Sequence, residues 1–128
     1  MGTGTELGRV RGLGSAKTGV HHWLVQRVTA FANLGLVAWL VFSLLRLPVF
    51  DYAALTNWLS SPLVAVPMML MIVSIFWHLR LGLQVLIEDY LHNEATKIFA
   101  LMLLNFYAIG GAAFGLFSVA KIAFGGAA

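Results

Sequence analysis

The chain has 128 residues, 60% of them hydrophobic and only 10% charged, with a formal net charge of +3 and no cysteine. That balance excludes an ordinary soluble domain and, at this length, more than one domain. The missing cysteines exclude disulfides, thiolate zinc sites and iron–sulfur ligation by this chain.

Residues 1–27 predict a tail. Arg9, Arg11, Lys17 and Arg27 stand there against one acid, Glu6, and there is no apolar core of the kind a secretory signal requires. The glycines at 2, 4, 8, 12, 14 and 19 disfavour the amphipathic helix of an organellar targeting segment. The excess basic charge lies beside apolar runs, so membrane topology explains it and nucleic acid is not expected as a partner. The end of the tail enters GVHHWLVQRVTA, Gly19 to Ala30. Interface anchoring and positive charge on the inner side explain His21, His22 and Arg27. A clamp for an anion is the alternative, since guanidinium pairs with carboxylates in a fixed fork.

Three spanning helices follow, at about 28–46, 62–90 and 95–123, making residues 28–124 an anchor domain with a short tail at 125–128. Val28 to Leu45 is 18 uncharged residues between Arg27 and Arg46, and Ile98 to Ala120 is 23 between Lys97 and Lys121. Either can cross roughly 30 Å of hydrocarbon. Leu47 to Ser61 reads as an outer loop, because Pro48, Asp51 and Asn57 end helices and form turns. Tyr52 and Trp58 in that loop, and Trp23 at the start of the first span, suit the two aromatic belts. The N-terminal tail and the loop from Glu88 to Lys97 hold five lysines and arginines, against two for the other side, which predicts an inner N-terminus. Three helices enclose little volume, so lipid and a partner subunit must cover most of their surface. In the third span, Gly110, Gly111, Ala112, Ala113 and Gly115 form a small-residue patch that suits close approach of another helix or of a flat cofactor.

The second span carries the polar residues: WHLRLGLQVLIEDY, Trp77 to Tyr90. Ionisable groups among hydrocarbon are costly and call for a partner or a task. His78 and Gly82 share a helix face, and Asp89 returns to within roughly 20° of it. One stripe therefore offers an imidazole, a bare backbone notch and a carboxylate. A flat macrocycle could meet the helix at Gly82 while His78 ligates its iron, the second ring nitrogen donating to a carbonyl one turn back or to Ser74. His78 could instead only hydrogen-bond to a neighbouring helix, or serve with Arg80 in a proton or cation path. Arg80 lies about 200° around from His78, free to snorkel, to pair with a carboxylate or to meet an anionic group of a cofactor. Glu88 and Asp89 oppose the dipole at the helix end and call for a donor or a cation. Tyr90 is an interface anchor, or the hydrogen-bond donor to a carbonyl ligand at the membrane surface.

Together GVHHWLVQRVTA and HLRLGLQVLIEDYLH resemble the small hydrophobic membrane-anchor subunit of succinate dehydrogenase, complex II. The resemblance implies an all-α integral membrane protein whose three helices form a bundle with a second three-helix protein, the cytochrome b subunit. The pair would hold a shared haem b and ubiquinone, and would anchor the iron–sulfur and flavoprotein subunits. It implies His78 as one axial haem ligand, with Gly82 packing on the haem, and Tyr90 as quinone donor with Asp89 nearby. It also implies Arg27, with His21 or preferably His22, near the haem propionates and the quinone. Electrons from succinate would pass to quinone, with no succinate site in this chain. A fumarate reductase anchor is the alternative within the class. The likeness is to versions from the bacterial group related to mitochondria, which implies a bacterial inner membrane with the N-terminus cytoplasmic, or else a mitochondrial inner membrane.

Overall fold

The computed structural model describes residues 5–10 and 18–125; Arg11 and Lys17 of the expected tail, and residues 126–128, lie outside them. Five helices follow in order: α1 (Glu6–Val10), α2 (Gly19–Leu45), α3 (Tyr52–Ser60), α4 (Pro62–Tyr90) and α5 (Glu94–Gly125). The three long ones have 27, 29 and 32 residues and are apolar enough to cross a membrane. At about 1.5 Å per residue each exceeds the roughly 30 Å of a hydrocarbon core.

α2 begins at Gly19, nine residues before the uncharged run that marks the first span. The run measures where hydrocarbon is tolerated, whereas a helix continues wherever backbone hydrogen bonding does. His21, His22 and Arg27 are therefore helical rather than part of an irregular tail.

The stretch expected as an outer loop contains α3. Asp51 begins it from an extended conformation, its carboxylate accepting from the Ala54 N–H at 2.7 Å. This satisfies one of the N–H groups that a helix start leaves unpaired. Ser61 ends α3 and precedes α4, which opens with Pro62 at a position where a missing N–H costs nothing. α3 packs against α4 and α5, and Trp58 stacks on Trp39 of α2 with centroids 6.3 Å apart.

α4 is the middle of a row. It packs against α2 and against α5, while no Cα of α2 comes within 8 Å of one of α5 among the described residues. On the α5 side the approach is close because glycines face α4. A Cβ at Gly111 would stand 2.7 Å from Cζ of Phe76, and one at Gly115 would stand 3.1 Å from Ile72. Of the two readings of the small-residue patch, helix approach is therefore realised on the Gly111 and Gly115 face. At Gly110, on another face, a Cβ would meet nothing within 4 Å. The buried residues of this row are Ala65, Met71 and Leu81 of α4, with Leu104, Ala108 and Val119 of α5. None belongs to α2, whose hold on α4 has a different chemistry.

Candidate functional site

That chemistry is polar. On α2, His22, Gln26, Thr29 and Asn33 recur at spacings of four, three and four, which puts them on one helix face. Three of them have α4 or a cavity with α4 before them. Thr29 Oγ1 lies 3.1 Å from Nδ1 of His78. Ser74 Oγ donates to the Thr29 carbonyl at 3.4 Å. The Gln26 amide nitrogen lies 3.9 Å from where a Cβ of Gly82 would be. His78 and Gly82 do share a face, and that face looks at α2.

One expectation changes in consequence. The Nδ1 partner of His78 is the Thr29 hydroxyl across the helix interface rather than Ser74 or a carbonyl one turn back; Ser74 spends its hydroxyl on the same neighbour. Before Gly82, the Gln26 side-chain nitrogen is the one atom that a Cβ would meet within 4 Å, at an ordinary van der Waals distance of 3.9 Å. The change has a plain cause. A helical wheel gives the direction of a side chain but not what stands opposite, and α2 stands there.

Arg80 points the other way, toward α5. Its Nε donates to the side-chain oxygen of Asn105, and its guanidinium lies 6.0 Å from the centroid of the Trp77 ring. The helix interior thus answers this cation with a neutral amide and an aromatic face. A cavity of about 540 Å³ between α4 and α5 has Arg80 and Asn105 as its polar residues, with apolar walls that include Phe76, Trp77 and Ile109.

Arg80 also lines a second cavity, of about 260 Å³, between α2 and α4. Thr18, His21 and His22 enter it from the α2 side, Gln84 and Trp77 from α4. His22 Nε2 is buried there without a hydrogen-bond partner among the described residues, and so is Oδ1 of Asn33 deeper along the same stripe. His21 is exposed. Basic and neutral donors line this cavity, so it suits an anionic group. Arg27, which the sequence groups with these histidines, is exposed and lies 5.7 Å from the Trp23 ring centroid instead of lining the cavity. Residue 27 follows Gln26 by about 100°, which turns it off the α4-facing stripe.

At the end of α4, Glu88 accepts from Gln84 Nε2 at 2.9 Å, one turn back, which supplies the donor its position demands. Asp89 and Tyr90 are exposed, Tyr90 by 75%. Three residues on, Asn93 caps α5 by accepting from the Thr96 N–H at 3.1 Å, and Lys97 pairs with Glu94 at 3.1 Å. The turn that follows Tyr90 is thereby fixed at both ends.

Thr29, Asn105 and Gln84 take part without being singled out by the sequence reading. Each carries a signal there: Thr29 completes a polar stripe with His22 and Gln26, Asn105 is an amide inside an apolar run, and Gln84 sits four residues before Glu88.

The transmembrane-subunit family described as "Succinate dehydrogenase/Fumarate reductase transmembrane subunit" matches residues 1–112. The chain is similar to the succinate dehydrogenase hydrophobic membrane anchor subunit of Rickettsia bellii (strain RML369-C), with 30% identity over 104 residues that cover 81% of this chain and 83% of the relative. It is also similar to the succinate dehydrogenase membrane anchor subunit of Reclinomonas americana, with 33% identity over 104 residues, 73% of this chain and 80% of the relative. No solved structure matches it. A row of three spanning helices with one polar seam, matched along most of its length by these sequences, is a multi-pass membrane protein that belongs to the family of succinate dehydrogenase/fumarate reductase transmembrane subunits.

Proposed function

We propose that this chain is the anchor subunit that, with a second three-helix subunit, holds a haem b and a ubiquinone site in an inner membrane. There it passes electrons from succinate oxidation to quinone. The observation that carries the reading is His78, an imidazole at membrane depth with Nδ1 engaged by Thr29 and no hydrogen bond to Nε2 from any described residue. A group of three or more His, Cys, Asp or Glu is lacking among the described residues. His78 therefore suits an iron whose remaining ligands belong to a macrocycle and a partner histidine. When bound, the haem supplies a one-electron redox centre within the hydrocarbon.

The chain's own residues orient and polarise. His78 presents a nitrogen donor in a direction set by the α2 interface. Gly82 and Gln26 form the wall beside it. His22, with its unpartnered buried nitrogen, and Arg27, exposed on the neighbouring face of α2, are assigned to the anionic edge of the haem and the rim of the quinone site. Tyr90 donates its phenolic hydrogen to a quinone carbonyl and stabilises the negative charge that develops as the quinone is reduced. Asp89 fixes polar groups around it. The iron–sulfur and flavoprotein subunits dock on the side that carries Tyr90, and the excess of lysine and arginine there supports assigning it to the cytoplasm or matrix. The matched relatives carry succinate dehydrogenase in their names, which favours the succinate-oxidising direction over fumarate reduction.

The test is a reduced-minus-oxidised spectrum of the purified membrane complex, native and with His78→Ala. The native complex is expected to show a b-type haem band with four co-purifying subunits, and the variant to lose the band. An unchanged band in the variant defeats the ligand assignment; a colourless complex containing this polypeptide alone defeats the whole reading.

A further inference from the structure

The contact between Thr29 and His78 carries more than proximity. Thr29 Oγ1 lies 2.9 Å from the carbonyl oxygen of Val25, 3.0 Å from that of Gln26, and 3.1 Å from Nδ1 of His78. A hydroxyl has one hydrogen to donate and two lone pairs with which to accept, whereas a backbone carbonyl can only accept. The hydrogen that satisfies either carbonyl is not available to the imidazole. When Thr29 donates to its own helix it accepts from the ring, and Nδ1 carries the proton.

We infer that Thr29 is a positioning residue for His78, fixing the imidazole as the tautomer with hydrogen on Nδ1 and a lone pair on Nε2. Two further observations hold the arrangement. Ser74, one turn before His78 on α4, donates to the Thr29 backbone carbonyl at 3.4 Å, so α4 grips the same residue twice. Both helices are regular through this level, which leaves the ring little freedom to turn. The seam between α2 and α4 is therefore an orienting shell, and the partner that metal-bound imidazoles take on their second nitrogen is here a threonine of the neighbouring span. The inference rests on the haem reading for its consequence, and the tautomer rests on the Thr29 hydroxyl donating to its own helix.

A hydrogen bond from Nδ1–H to an oxygen makes the imidazole a stronger donor to metal, and losing such a partner weakens metal binding about 10- to 100-fold. In the assembled four-subunit complex, Thr29→Val keeps the shape and removes the acceptor. The expected result is a raised haem midpoint potential, shifted low-spin EPR signals and at least about tenfold weaker haem retention. Thr29→Ser should restore native values. Should Thr29→Val fail to assemble, Thr29→Ser and Thr29→Ala decide, since both lose the methyl and only alanine loses the hydroxyl. A native potential and EPR spectrum in the alanine variant would overturn the inference, as would a serine variant as shifted as the alanine one. His78→Ala separates the two levels. Loss of haem there beside a native Thr29→Val rejects the role of Thr29 alone, while an unchanged haem there rejects the ligand assignment beneath it.

Discussion

Tyr90 stands out at the level of single residues because it is 75% exposed at the end of a helix where Glu88 and Arg80 are answered internally. Glu88 has Gln84 and Arg80 has Asn105, but the phenol of Tyr90 projects from the last helical position, where a ligand can reach it. Tyr90→Phe removes one hydrogen-bond donor without changing shape. Quinone reduction by the assembled complex should then fall by about 10²-fold or more in turnover, as for loss of one oxyanion donor, with assembly and haem content intact. Unaltered quinone kinetics reject the assignment. Arg80 and Asn105 give a second expectation. Asn105→Leu leaves a half-buried guanidinium without its acceptor, at a cost of about 1–2 kcal/mol for an interhelical hydrogen bond within a membrane. Thermal dissociation of the complex should come at a lower temperature, and Arg80→Leu combined with Asn105→Leu should recover part of the loss, because no donor is then left unpaired.

Among the elements, α4 and α5 meet through a Gly111 and Gly115 pair with three residues between, and the two positions differ in tolerance. An alanine at 111 must displace the Phe76 ring, while one at 115 must shift a flexible Ile72 side chain by a few tenths of an ångström. Gly111→Ala should therefore destabilise the helix pair more than Gly115→Ala, and Gly110→Ala should be neutral or slightly stabilising, since alanine favours a helix by about 1 kcal/mol over glycine. Melting of the detergent-solubilised complex gives the order, and Phe76→Leu should rescue Gly111→Ala if the ring is the obstacle. α3 is held differently, by the Asp51 cap and the stack of Trp58 on Trp39. Loss of the cap in Asp51→Ala costs about 0.5–2 kcal/mol, felt locally as faster hydrogen exchange from 52 to 60 with little change at α4.

For the whole molecule, a row of spanning helices with α4 between α2 and α5 encloses little volume, and large apolar residues such as Phe31, Leu63, Phe106 and Phe114 are exposed. In water such a surface would aggregate; lipid suits it in a membrane, and the proposed partner bundle would cover part of it. The proposed topology can be read with cysteine labelling, since the native chain has no cysteine. Asn57→Cys, in α3, should react with an impermeant maleimide from outside intact cells, and Asn93→Cys only after lysis. The reverse pattern would invert the membrane orientation and move Tyr90 to the opposite surface.

Much of this was determined by the amino-acid sequence by itself. Composition and uncharged runs require spanning helices, because an unpaired backbone cannot exist in hydrocarbon, and helical spacing puts His78 and Gly82 on one face and Arg80 away from it. α3 was hidden because turn formers and cap residues are the same amino acids: Asp51 reads equally as the end of one helix or the start of another. The tertiary structure alone decided which neighbour each polar side chain meets. It turned His78 toward Thr29 rather than Ser74, set Gln26 beside Gly82, gave Arg80 to Asn105, and grouped His22 with Arg80 instead of Arg27. Such pairings depend on how far one helix slides and turns against the next, and that register is set by interhelical packing, on which the period of a single helix is silent.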